Sequence, residues 1–60
     1  MIVRKSIKDF LTANGASTEA AIVADCVANG AREKRVKRAI ERMTTRGKLV
    51  KTNDNYDLSA

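Results

Sequence analysis

The chain is 60 residues long, which allows one small domain, and it carries a net charge of +5 with no histidine. The lack of histidine excludes histidine-based acid–base, triad and metal-ligand chemistry, and sixty residues leave little room for a catalytic pocket, so we expect no enzyme, no metal and no cofactor. A single cysteine cannot form an internal disulfide, and no apolar run approaches the roughly 18 residues of a membrane span, so we expect a cytoplasmic, nucleoid-associated protein with no membrane partner.

The first segment predicts a helix over about residues 3–14. Its apolar residues recur at i, i+4, i+7 and i+8, which is the spacing of one helix face. They are Val3, Ile7, Phe10 and Leu11. Asn14-Gly15 ends this helix, because glycine readily takes the left-handed conformation that closes a helix.

A second, shorter helix is predicted over about residues 18–29. Either Ser17 or Thr18 can cap it, and Glu19 is favourable in its first turn. Its apolar residues again follow a helical spacing. They are Ile22, Val23, Cys26 and Val27. This spacing indicates that Cys26 is a buried core thiol and neither a nucleophile nor a metal ligand.

A third helix is predicted over about residues 32–45, with Gly47 ending it. Its apolar positions fill the i, i+3, i+4, i+7 template. They are Val36, Ala39, Ile40 and Met43. Only about three residues separate it from the second helix, and a turn this short that contains glycine is typical of a helix-turn-helix.

The C-terminal part changes to the period of a strand. Two extended runs, 49–52 and 56–58, flank the turn-forming residues Asn53-Asp54-Asn55 and predict a hairpin, the wing, over about residues 48–59. An isolated hairpin is not stable in water, so it must lie against the helices, with Tyr56 as an anchor to the core. Ala16-Ser17 is expected to add a short third strand.

The third helix carries the whole net charge of the chain. Residues 32–46 hold seven cations and two glutamates, a net charge of +5, and the remaining residues are neutral overall. The seven cations are Arg32, Lys34, Arg35, Lys37, Arg38, Arg42 and Arg46. Charge concentrated on one element is typical of nucleic-acid-binding proteins, although a solvated basic helix face is the simpler interpretation. Glu33 and Lys37 form the attractive i, i+4 pair of this segment.

The residue types suggest which cations would contact base edges and which would contact phosphates. Lys34, Lys37 and Arg38 are the candidates for base edges, because lysine and arginine reach the guanine O6 and N7 acceptors. The other members of the predicted nucleic-acid-binding set are candidates for contacts to the phosphate backbone. They are Arg32, Arg35, Arg42 and Arg46 on the third helix, Lys48 and Lys51 at the base of the wing, and Thr18. Lys5, Ser6 and Ser17 are further candidates for backbone contacts.

Three helices followed by a hairpin is the order of a winged helix-turn-helix. Residues 30–51, GAREKRVKRAIERMTTRGKLVK, resemble the recognition helix and wing of many small bacterial, phage and archaeal regulators. The resemblance covers essentially the full length. It implies a mainly α (α+β) fold, a three-helix winged helix-turn-helix with a C-terminal β-hairpin wing.

The same stretch is similar to the Zα domains that bind left-handed Z-form nucleic acid. In that family the third helix carries an adjacent Asn-Arg pair and a Tyr one turn later, and the wing carries Pro-Pro and Trp. Here Arg38 matches the Arg, but Lys37 replaces the Asn and Glu41 replaces the Tyr, and the chain has no Pro and no Trp. The resemblance therefore implies the fold and not the Z-form specificity.

The function expected from these features is binding of double-stranded DNA, sequence-specific or general, as a small transcriptional regulator. Two alternatives remain open. One is a protein-interaction winged helix, such as a phage or viral inhibitor of a host protein, which the acidic wing tip at Asp54 and Asp57 favours mildly. The other is binding of Z-form nucleic acid or of double-stranded RNA. The sequence also leaves open a homodimer on DNA, for which Ile2, Val23 and Val50 are the interface candidates.

Overall fold

The computed structural model describes residues 2–59, in which three helices pack against a three-stranded antiparallel sheet. The helices are α1 (Val3–Asn14), α2 (Glu19–Ala28) and α3 (Glu33–Thr45), and the strands are β1 (Ser17–Thr18), β2 (Leu49–Thr52) and β3 (Asn55–Leu58). The predicted fold class, an α+β winged helix-turn-helix arrangement, is confirmed. Within the described residues, none of the helices has the length and apolar character to cross a membrane.

The core is built from all three helices and the first residue of β2. Among residues 2–59, eight side chains are buried: Ile7, Leu11, Ile22, Cys26, Val36, Ile40, Met43 and Leu49. Tyr56 and Leu58 of β3 pack against this cluster while remaining partly exposed, so the wing is fixed to the helices as the alternation in its sequence predicted.

Cys26 lies in the centre of this core. Its side chain is fully buried, as its helical spacing predicted, and burial, with a smaller contribution from Asp25, raises the pKa of the thiol. Val27, by contrast, is 44% exposed and does not join the core. The helical spacing grouped both residues on one face, but Val27 lies about 100° around α2 from Cys26, beyond the side on which α1 and α3 pack.

The sheet has the order β1-β3-β2, so β3 is its central strand. Ser17 and Lys51 both pair with Tyr56, from β1 and β2 respectively. The third strand thus exists, one residue later than the predicted Ala16-Ser17. The hairpin turn contains two residues rather than the predicted three, because Asn55 already pairs with Thr52 in the ladder.

The turn between α2 and α3 closes with paired backbone hydrogen bonds. The N–H of Gly30 donates to the carbonyl of Val27 at 3.0 Å, and the N–H of Ala31 donates to that of Cys26 at 2.9 Å. This is a Schellman motif, and it requires the left-handed φ of 104° that Gly30 adopts. The motif ends α2 abruptly, and after a turn of only a few residues Arg32 occupies the N-cap position of α3 without a side-chain capping hydrogen bond.

Candidate nucleic-acid interface

The helix α3 separates apolar from cationic side chains. Val36, Ile40 and Met43 are buried against the other elements, while Lys34 and Arg38 on the opposite side of the helix are exposed. All ten residues of the predicted nucleic-acid-binding set have exposed side chains: Thr18, Arg32, Lys34, Arg35, Lys37, Arg38, Arg42, Arg46, Lys48 and Lys51. Because α3 packs against the rest of the protein through its apolar side, the cations on its other side remain accessible to a ligand in solvent.

Only one of these cations takes part in a salt bridge within residues 2–59. The Lys37 ammonium lies 3.0 Å from a Glu33 carboxylate oxygen, as the i, i+4 spacing predicted. The hydrogen bond and the charge of Glu33 raise the pKa of Lys37. Lys34 and Arg38 form no such pair in the described part of the chain, so their charges are not neutralised by neighbouring carboxylates.

The two sides of α3 differ in charge. On the side toward α2 and the sheet, Lys37 shares a shallow groove with Glu19, Glu41 and Tyr56. Glu19 adds a smaller contribution to the raised pKa of Lys37. This side, which we call the acidic flank, therefore carries both signs of charge, and an approaching polyanion would meet carboxylates there as well as a cation.

On the side toward α1 the groove is cationic. It is lined by Arg4, Lys5 and Lys8 of α1, by Arg42 and Arg46 at the end of α3, and by Lys48 at the start of the wing. The remaining lining residues are Ile2, Ala39 and Met43, and within residues 2–59 no carboxylate side chain contributes to it. We call this surface the α1–α3 groove. It brings together three cations of α1 with three cations from the adjoining end of α3 and start of the wing, about forty positions later in the sequence.

Two of these residues, Arg4 and Lys8, were not predicted as part of the site. A charge count along the chain does not single out α1, because acidic residues elsewhere in the sequence balance the charge of its cations. The available signal was their i, i+4 spacing, which places both on one face of α1. Asp9, which follows directly, lies on a different surface near Asp25, and the helix therefore separates its own charges.

The position of Lys48 follows from how α3 ends. The N–H of Gly47 donates to the carbonyl of Thr44 at 3.1 Å, and the N–H of Lys48 donates to that of Met43 at 2.7 Å. This second Schellman motif uses the φ of 75° at Gly47. It turns the chain back so that Lys48 joins the α1–α3 groove and Leu49 enters the core.

The other two predicted contacts outside α3 have structural partners. The Lys51 ammonium lies 5.7 Å from the centroid of the Tyr56 ring, within the range of a cation–π contact. The Thr18 hydroxyl oxygen accepts a hydrogen bond from the N–H of Ala21 at 3.2 Å and so caps α2. Its O–H can still donate to another acceptor. The wing tip itself carries Asp54 and no cation.

Comparison of the chain with protein-family models, with curated proteins and with solved structures finds no match. The interpretation of this surface therefore depends on its own geometry and charge.

Proposed function

We propose that the protein binds double-stranded DNA as a small transcriptional regulator, with α3 as the recognition helix. One observation supports this most directly: the seven cations of residues 32–46 are all exposed, and only Lys37 is paired with a carboxylate within the described residues. A DNA duplex carries one negative charge per about 1.7 Å of its axis, so it is a partner that such a surface attracts strongly.

The internal repulsion of α3 supports the same proposal. Three like-charge pairs are spaced at i, i+4, where their side chains are neighbours and repel each other. They are Lys34/Arg38, Arg38/Arg42 and Arg42/Arg46. A sixty-residue domain has a thin margin of stability. The repulsion between these side chains destabilises α3 in the free protein. It is explained if a bound polyanion neutralises their charges.

The order of the elements suggests how the duplex would be approached. In a helix-turn-helix the first turns of the second helix enter the major groove. Here those turns carry Lys34 and Arg38, which are one helical turn apart and exposed. We propose that these two side chains contact base edges and that Arg35 and Arg42 beside them contact phosphates. For Lys37 to contact a base, its salt bridge with Glu33 must open.

The proposal is tested by titrating a labelled duplex of random sequence with the wild type and with the Lys34→Gln/Arg38→Gln double variant. We expect the double variant to bind at least about tenfold more weakly at roughly 0.1 M salt, with a smaller dependence on salt. The matched control is Arg38→Lys, which keeps the positive charge and loses the pair of guanidinium N–H donors that can bind one guanine. It should retain general binding and lose preference for guanine in a selection from a random pool. Equal, salt-insensitive binding by the double variant would end the proposal.

A second candidate function is binding to a protein partner, and one feature of α2 favours it. Its outer face exposes a small apolar surface that is not covered by the described part of the chain, with Val27 44% exposed. The surface is formed by Ala20, Val23, Ala24 and Val27, with Glu19, Glu33 and Lys37 around it. This candidate predicts no meaningful affinity for a duplex.

Z-form binding, the remaining alternative, would invert the circular dichroism of an alternating CG duplex on mixing.

A further inference from the structure

We propose that the α1–α3 groove seats one phosphodiester strand of the bound duplex, which makes α1 a DNA-contacting element and orients the domain on the DNA. This inference rests on the proposed function and extends the interface beyond α3. It assigns a role to Arg4 and Lys8, which charge counting along the sequence did not single out.

The first support is the charge of the groove. Six of the chain's twelve cations line it, and none of its seven acidic residues does. None of the six forms a salt bridge within residues 2–59. Like charges held around one concave surface raise its positive potential, since low-dielectric walls focus the field. A ligand rich in negative charge relieves this repulsion.

The second support is the length of the groove. Its cations lie four positions apart along each helix, Arg4 and Lys8 on α1 and Arg42 and Arg46 at the end of α3. Four helical residues rise about 6 Å. One strand of B-DNA carries a charge per about 3.4 Å of axis, so this length matches roughly two successive phosphates. Repeated cations along both walls suit a linear polyanion better than a single small anion.

The third support is the position of the groove relative to the outer face of α3. Successive i+4 residues advance about 40° around a helix, so Arg38, Arg42 and Arg46 lead stepwise from the outer face into the groove. A strand that borders the major groove can therefore pass from α3 directly onto α1. The acidic flank on the other side carries Glu19 and Glu41 and offers no comparable path. The duplex is thus expected to lean toward α1.

The test compares three single variants with the same net charge of +4: Arg4→Gln, Lys8→Gln and the control Ala13→Glu. Ala13 is exposed on α1, about 180° around the helix from Arg4, and lies near Asp9 and Asp25. Each variant is titrated against the same duplex at several salt concentrations between about 50 and 200 mM, so that the slope of log K against log salt can be measured. Far-ultraviolet circular dichroism and urea unfolding check that all three remain folded.

We expect each groove variant to lower the affinity about three- to tenfold and to reduce the slope of log K against log salt by nearly one, because one phosphate contact is lost. Ala13→Glu should change the affinity less than twofold and leave the slope unaltered. Equal losses for all three variants would mean that only total charge matters, and the groove assignment would be wrong.

The groove assignment and the proposed function fail in different ways. If Arg4→Gln and Lys8→Gln bind like the wild type while Lys34→Gln/Arg38→Gln is weakened, the groove is excluded and α3 remains the interface. If the wild type itself binds no duplex, both proposals are overturned.

Discussion

The backbone N–H of Lys48 donates to the carbonyl oxygen of Met43 at 2.7 Å, and this hydrogen bond joins the end of α3 to the start of the wing. Met43 is a core residue that also contributes to the α1–α3 groove, and Lys48 is one of the groove's cations. The geometry with which α3 stops thus sets both the packing of the wing and the position of a charge at the candidate interface.

The residue that permits this stop is Gly47. Its φ of 75° lies in the left-handed region, and a Cβ added there would meet nothing within 4 Å, so a substitution is strained only by its backbone. We expect Gly47→Ala to lower the free energy of unfolding by about 1–2 kcal/mol in urea titrations. Gly47→Asn is the matched control and should lose less, because asparagine tolerates this conformation. Equal losses for the two variants would contradict this account.

Thr18 caps α2 through the hydrogen bond from Ala21, and its removal should weaken the domain. Thr18→Ala is expected to cost about 1 kcal/mol of stability, within the usual range of about 0.5–2 kcal/mol for loss of a cap. Thr18→Ser keeps a hydroxyl oxygen at the same place and should remain close to the wild type in a thermal melt. A Thr18→Ser variant as unstable as Thr18→Ala would show that the methyl group, and not the cap, is responsible.

The buried thiol of Cys26 makes stability depend on pH on the alkaline side. Burial raises the pKa of this thiol in the folded protein above its ordinary value of 9.0. As the pH rises past that value the unfolded thiol ionises and the folded thiol does not, so the unfolded state binds fewer protons and the free energy of unfolding falls. Its contribution is complete below the unfolded pKa and is lost as the pH rises through the folded pKa.

Urea titrations at pH 8 and pH 10, compared between the wild type and Cys26→Ala, measure this contribution. The two proteins differ only at Cys26, so the difference between them isolates the thiol. The wild type should lose more stability than Cys26→Ala between the two pH values. The same loss in both proteins would contradict a raised pKa for Cys26.

Removing the carboxylate of Glu33 should strengthen DNA binding without unfolding the protein. The salt bridge with Lys37 joins two side chains that are 53% and 62% exposed, so solvent screens it. Glu33 also lies in the first turn of α3, where a negative charge is favourable, so we expect its loss to lower the urea midpoint slightly. Glu33→Gln frees Lys37 and removes a charge that repels phosphates, so we expect affinity for the duplex to rise about two- to fivefold. Asp9→Asn on α1 has the same net charge and serves as the control. A comparable gain in both variants would mean that only total charge was measured.

The sequence alone determined the elements of this fold and their order, because the signals that define them are local. The apolar spacing of α1 and α3, the glycine after each helix and the hydroxyl before α2 act within a few residues of one another, so the helices and the wing could be predicted without the fold. The exposure of Lys34 and Arg38 followed in the same way from their position opposite Val36 and Ile40.

Tertiary structure alone decided which charges share a surface. Arg4 and Lys8 meet Arg42, Arg46 and Lys48 only because α1 packs along α3, and residues about forty positions apart have no local pattern that relates them. Packing likewise leaves the side chain of Val27 exposed, although its spacing places it beside the buried residues of α2. The face of α2 that contacts the other helices is narrower than the apolar face predicted from the sequence. Charge counts along a chain sum residues that the fold separates, and for this reason the unequal sides of α3 became visible only in three dimensions.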